Sequence, residues 1–316
     1  MIGGMTQLIE DAPPRTPVRL KVSTPAMLVA SLPYLFGFTP SDSLIVLALT
    51  GKTVSAAGRV DADAVDYPDQ LRARLESVVR HGESTIVIGW TDPVSRAERV
   101  VNIAAAALGG ADESIIVSGG RCRADDGPWL DCPAFIPEAE AAGLEVLPNR
   151  AAVARMVRGP ASSDKQARRR WAAASAAVQR SDAPWRAARF DELLARGLNG
   201  AGDLSVGELT ELAALVFEGD TRERVWDHFS QPLAQQHLGL WRAVVAVVDR
   251  AGAVAPLGLL AMAAWLAGEG ALATCCIQRG QLLGPGHTLL RLIDAINLAG
   301  VPPSAWEQMQ RAIRGG

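Results

Sequence analysis

Asp42, Arg59, Asp92, Ser118 and Arg121 fall where short apolar runs of the sequence break off, and residues of these types can together hold a small polar ligand. Carboxylates accept hydrogen bonds, arginines present a planar fork of N–H donors, and a serine does either. Asp61, Asp125 and Asp126 stand at similar breaks. Turns also favour Asp for its local bonds to backbone, so solvated strand ends are the plainer reading. These five residues are a candidate ligand pocket, and no catalytic residue is assigned.

Sharper chemical signatures are missing from the sequence. Gly51-Lys52-Thr53 resembles the end of a phosphate-binding loop, but the earlier glycine that such a loop needs would fall at Val46, inside an apolar run. Ser118-Gly119-Gly120 is not followed by a dinucleotide-binding glycine pattern and reads as a turn. No G-x-S-x-G elbow occurs. His81, His228, His237 and His287 are scattered, without metal-ligand spacing to one another or to Cys122, Cys132, Cys275 and Cys276. No metal or cofactor is expected.

A second candidate is electrostatic. Arg150, Arg155, Arg158, Arg168, Arg169 and Arg170, with Lys165 and Trp171, gather positive charge against Asp164 alone. Such a patch can meet nucleic acid or an acidic partner. Lys21, Lys52 and Lys165 are the only lysines, so arginine is also this chain's ordinary solvated cation. A net charge of −3 and an isoelectric point near 5.9 argue against a surface built throughout for phosphate backbones. Nucleic acid is therefore not the favoured partner.

The elements that carry these residues follow from periodicity. Thr24 and Pro25 open a helix that Pro33 and Gly37 should end, and Leu44 to Leu49 reads as a strand buried on both faces. Gly51-Lys52 turns it into a partner strand at 53–60. A helix at 66–80, strands at 84–90 and 113–118, and a helix between them complete a β-α-β-α-β order, which predicts a mostly parallel sheet flanked by helices. A short strand at 144–147 and a helix from 151 to 158 follow. Gly159-Pro160-Ala161-Ser162-Ser163 breaks the composition. Beyond it the periodicity is helical, with helices expected at 163–180, 185–197, 205–218, 221–229 and 237–250.

The stretch after Pro256 has a tighter register. Placing Ala273 on the small position of the second helix of a tetratricopeptide repeat puts Leu257, Leu260, Ala261, Ala264, Ile277, Gly280 and Pro285 on compatible positions. The run from Ala251 to Gly268 is long and uncharged, but its glycines and Pro256 favour a buried helix over a membrane span. No secretory signal is legible, and four cysteines in 316 residues fit a reducing cytoplasm better than a disulfide framework.

The pattern from Ser23 to Leu49, Ser-Thr-Pro-Ala-x-Leu, then Pro-Tyr-x-x-Gly-Phe-x-Pro and Ser-Leu-Ile-Val-Leu-Ala-Leu, resembles the opening of the actinobacterial DUF4192 proteins, a family of unknown function. Trp129, Cys132-Pro133, Gly143 to Arg150, Trp241, Ala255-Pro256, Ala264-Trp265, Gly268 to Ala273 and Pro302-Pro303 extend the likeness into both halves. The resemblance implies an actinobacterial or actinophage source, which the arginine-over-lysine bias fits. Relatives carry further cysteines before Cys132-Pro133, and this chain has not kept them.

The expected organisation is a tail at 1–19, an α/β domain at 20–160, and a helical domain at 161–316 with a tetratricopeptide-like unit near 254–287. The expected role is that of a non-catalytic cytoplasmic scaffold that binds a protein or peptide partner on a concave helical surface. The alternatives are an enzyme or small-ligand binder at the sheet edge, and nucleic-acid contact through the basic segment.

Overall fold

A computed structural model describes residues 20, 22–217, 224–226 and 228–314. Two compact units emerge, one of residues 17–152 with 296–302 and the other of 153–295 with the residues from Pro303 onward. The expected tail at 1–19 and residues 221–223 and 227 of the expected helix at 221–229 lie outside the described residues.

The first unit is built on a six-stranded sheet. Helix α1 (Pro25–Phe36) starts where the Thr24 side chain accepts the Met27 N–H and ends at Gly37 in the left-handed region. It runs through Pro33, and beyond the proline the half-buried Phe36 still packs with Ala26, Val29 and Leu32. Strand β1 (Ser43–Thr50) turns at Gly51-Lys52 into β2 (Thr53–Asp61). A 3-10 turn (Ala62–Asp66) and α2 (Pro68–Val79) lead to β3 (Ser84–Trp90). Then come α3 (Val94–Leu108), β4 (Glu113–Ser118), β5 (Arg121–Ala124), β6 (Leu130–Asp131), α4 (Pro137–Ala141) and α5 (Arg150–Met156).

The sheet order is β2-β1-β3-β4-β5-β6. Only β3 and β4 pair in parallel, and the other four ladders are antiparallel. The expected mostly parallel sheet is thus a mixed one. Two tight turns, at Gly51-Lys52 and Gly119-Gly120, impose antiparallel pairing on their flanking strands. The connection through α2 carries the chain from β2, across β1, to a β3 that runs against β1. Only α3 makes the crossover that a parallel pair needs. At 144–147 no strand forms, and Leu147 makes one isolated bridge with Phe38.

Alternation gives the sheet two apolar faces. Leu44, Val46, Val87 and Ile116 pack on Leu71 and Leu75 of α2 and on Ala97, Val101 and Ala104 of α3. Ile45, Leu47, Ile88, Ile115 and Val117 pack on Ala26, Val29 and Leu32 of α1. Gly89 lets α3 lie close, since a Cβ there would stand 2.6 Å from the Ala97 carbonyl oxygen.

The second unit is helical: α6 (Lys165–Arg180), α7 (Ala183–Asn199), α8 (Val206–Phe217), α9 (Ala234–Val247), α10 (Val254–Leu266), α11 (Gly270–Leu283), α12 (Thr288–Leu298, whose last turn belongs to the first unit) and α13 (Trp306–Arg314). Asp164 and Asp182 cap α6 and α7 through their carboxylates. At α8, Ser205 and Glu208 form a capping box, with Ser205 N–H donating to Glu208 at 2.8 Å and Glu208 N–H to Ser205 Oγ at 3.3 Å. Every residue of α10 from Ala255 to Leu266 is buried between neighbouring helices. Among the described residues no helix is long and apolar enough to cross a membrane.

Candidate functional site

The strand directions bring several polar residues to one end of the sheet. The start of β1, the end of β2, the parallel ends of β3 and β4 and the start of β5 all meet there, because Ser43 pairs with both Asp61 and Trp90, and Ser118 with Arg121. This is the carboxyl end of the parallel pair, the usual place for a ligand in an α/β sheet.

Asp42 takes a left-handed backbone conformation (φ 42°), held by its carbonyl accepting the Ala62 N–H at 2.8 Å. Its carboxylate accepts the buried Thr91 hydroxyl at 2.6 Å and pairs with Arg96 at 3.2 Å. Arg96 rises from the first turn of α3 and also reaches Asp63 at 2.6 Å. Asp92 follows Thr91 at the end of β3, and its Oδ1 accepts the Ser118 hydroxyl and the Gly119 N–H, the latter at 3.0 Å. Gly119 and Gly120 both have positive φ, as a two-residue hairpin turn requires, and that turn aims the Gly119 amide at Asp92. Asp42, Thr91, Asp92 and Ser118 therefore form one chain of polar contacts.

The two arginines of the sequence-derived pocket take opposite faces of the sheet. Arg59 opposes Ile45 on the α1 face, where it donates from Nε to Ser43 Oγ at 2.8 Å, pairs with Asp61 at 2.7 Å and lies over the Phe38 ring. Burial, followed by the nearby Arg150 charge, lowers its pKa, and Asp61 and Asp42 oppose that shift. Arg121 lies on the α3 face with Arg123, which opposes Ile116. Both guanidinium groups stand over Trp129, Arg121 pairs with Asp131 at 3.2 Å and Arg123 with Glu98 at 2.9 Å. The five residues thus share one sheet end without sharing one cavity. A shallow depression of about 330 Å³ nearby is bordered by Asp61, Asp63, Tyr67, Gln70 and Arg74.

Thr91, Arg96 and Asp63 belong to this network and carried no signal that singled them out. Thr91 precedes the Asp92-Pro93 turn, and only the antiparallel register of β1 against β3 places it beside Asp42.

Cys122 and Cys132 are near neighbours on the α1 face, and both are free thiols. Burial raises both, and the facing Cys122 thiol helps push Cys132 up to about 12, so neither is a ready thiolate. Among the described residues no three His, Cys, Asp or Glu side chains gather as a metal would need.

The basic segment divides between the units. Arg150 belongs to the sheet unit, and Arg155, Arg158, Arg168, Arg169 and Arg170 belong to the helical one. Arg168 and Arg169 are exposed on α6, and Arg170 is half-buried. Trp171 packs edge-on against Phe217 at 5.8 Å and over Gly252, so its indole is committed to helix packing.

No curated protein and no solved structure matches the chain. A family model does, the domain of unknown function DUF4192, over residues 25–304. That match takes in the signature helix and β1, the polar sheet end and helices α6 to α12, and the chain belongs to the DUF4192 family.

Proposed function

We propose that the protein is a non-catalytic binding or scaffold protein of the cytoplasm that engages a protein or peptide partner through its helical unit. The observation that carries this reading is how the chemically capable residues are already used. Asp42 is bonded to Thr91 and Arg96, Asp92 to Ser118 and Gly119, and Arg59 to Ser43 and Asp61, which is the pattern of a braced loop cluster. Among the described residues no histidine bonds to the Asp92–Ser118 or the Asp42–Thr91 pair to complete a triad.

The helical unit supplies the complementary support. Helices α10 and α11 pack as a hairpin turned at Gly268, with Ala264 and Ala273 buried, in keeping with a tetratricopeptide-like unit within a stack that extends through α9. Trp185 and Leu282 are large apolar side chains left exposed on α7 and α11, the latter at 85%. Four cysteines in a chain of 316 residues suit a reducing compartment.

A photo-crosslinking residue placed at Leu282 or Trp185 of the full chain in its native cell should capture a discrete partner, and one placed at Asp61 should not. Capture from Asp61 alone would contradict the reading. A second reading, a small polar ligand held at the sheet end, is favoured by the convergence of Asp42, Thr91, Asp92 and Ser118. It predicts that Asp92→Asn abolishes ligand binding without unfolding the chain.

A further inference from the structure

Asp61, Asp63 and Arg74 all border the depression of about 330 Å³ beside the sheet end, and each keeps bonding capacity in reserve. The chain builds the depression from the end of β2, the 3-10 turn and the first two turns of α2. Ala62 and Val65 anchor the 3-10 turn in the core, while the Asp61 and Asp63 carboxylates stay exposed. Tyr67 closes that turn by donating its N–H to the Ala64 carbonyl at 3.1 Å, and its side chain is left 63% exposed. Gln70 and Arg74 stand one turn apart on the same face of α2. Buried Leu71 and half-buried Ala64 give the depression an apolar lining.

The charges of opposite sign around this space do not pair with one another. Asp61 spends Oδ1 on Arg59 at 2.7 Å, and Asp63 spends Oδ1 on Arg96 at 2.6 Å, an arginine that Asp42 also shares. Among the described residues the Oδ2 of either carboxylate has no partner. On the same helix Arg72 is neutralised by Glu76 at 2.7 Å. Arg74 makes no ion pair and no side-chain hydrogen bond among the described residues, although two carboxylates border the same depression. A ligand with charges of both signs completes such a rim: its cation takes the free carboxylate oxygens and its carboxylate takes the guanidinium fork. The open face of Tyr67 adds to the attraction for an organic cation, and the apolar lining suits a methylene stem. At about 30 Å³ for each water-sized group, the space holds on the order of ten non-hydrogen atoms, which is the size of one amino acid.

We propose that this depression binds a free basic amino acid, with its cationic side chain between Asp61 and Asp63 against the Tyr67 ring and its α-carboxylate on Arg74 and Gln70. The site lies in the α/β unit and is independent of partner binding by the helical unit. L-Arginine, agmatine, which lacks the carboxylate, and L-norvaline, which lacks the guanidinium, are titrated into the full chain at equal ionic strength, with binding read by calorimetry. One saturable site for L-arginine is expected, with agmatine and L-norvaline each weaker by about tenfold or more. Arg74→Gln should weaken L-arginine to the level of agmatine and leave agmatine itself unchanged, because only the carboxylate contact is lost. Tyr67→Ala should weaken both. Neither side chain has a structural partner to lose, so both variants should keep the parent's unfolding midpoint, and Arg72→Gln should bind as the parent does. The proposal is overturned if L-arginine does not saturate, if agmatine binds as tightly as L-arginine, or if Arg74→Gln binds L-arginine as the parent does.

Discussion

His237 shows how much of this protein's behaviour rests on the setting of single side chains. Its ring is buried and stacked on Phe229 at 4.2 Å, its Nε2–H donates to the His228 carbonyl at 3.1 Å, and its Nδ1 accepts the Trp241 indole N–H at 3.3 Å. The neutral ring with its proton on Nε2 satisfies both contacts, and a second proton would set N–H against N–H at Trp241. Burial lowers its pKa from 6.5 to about 4. A depressed histidine contributes stability that is complete above pH 6.5 and is lost as pH falls through 4. Chemical denaturation should therefore show a loss on the order of 2–3 kcal/mol between pH 7 and pH 4.5, and His237→Gln should flatten that dependence. A parent profile as flat as the variant's would show that the ring is not held neutral. Cys132 titrates in the other direction. With its pKa raised from 9.0 to about 12, it contributes stability present below pH 9 and lost as pH rises through 12, and native protein at pH 8 should resist alkylation there until unfolded. At this scale Asp42 and Asp92 were legible as strand-end carboxylates. Their partners Thr91 and Arg96 were not, because register and helix docking, rather than spacing, bring them together.

Among the elements, β1 and the α10–α11 pair were readable for opposite reasons. An uninterrupted run of Leu, Ile and Val with turn residues at each end specifies a buried strand whatever its neighbours are. The direction of those neighbours is not encoded in the same way, since a helix of twelve residues such as α2 can return the chain either parallel or antiparallel. Helices 254–266 and 270–283 both fall inside the unit expected near 254–287. Burial does not single out the repeat register, however, because α10 is enclosed on every side. Ala273 tests the packing more sharply. It is fully buried, and Ala273→Leu should overpack the α10–α11 contact and cost about 1–3 kcal/mol by urea unfolding. An unchanged midpoint would mean that a larger side chain fits there. Ser205→Ala removes one half of the capping box at α8 and should cost about 1 kcal/mol, whereas Ser205→Asp should cost less.

In the whole molecule, Gly159 and Pro160 were read as a composition break, and the structure gives the glycine a packing role as well. Val153 and Val157 are buried, and Arg279 bonds the Val157 carbonyl, so the chain is anchored just before the exposed residues 161–163. We expect limited proteolysis to nick 161–163 first and the fragments to remain associated, because the 153–159 segment belongs to the helical unit's packing. Fragments that separate without denaturant would place the boundary at the break itself. The proposed binding role is tested most directly by comparing two double variants of the tagged full chain in its native cell by size-exclusion chromatography with mass measurement. Asp42→Asn with Asp92→Asn should leave the partner complex intact, and Trp185→Asp with Leu282→Asp should release a free, folded chain. The reverse pattern, a complex lost with the two aspartates and kept without the exposed tryptophan and leucine, would contradict a partner-binding helical unit and move the function to the sheet end.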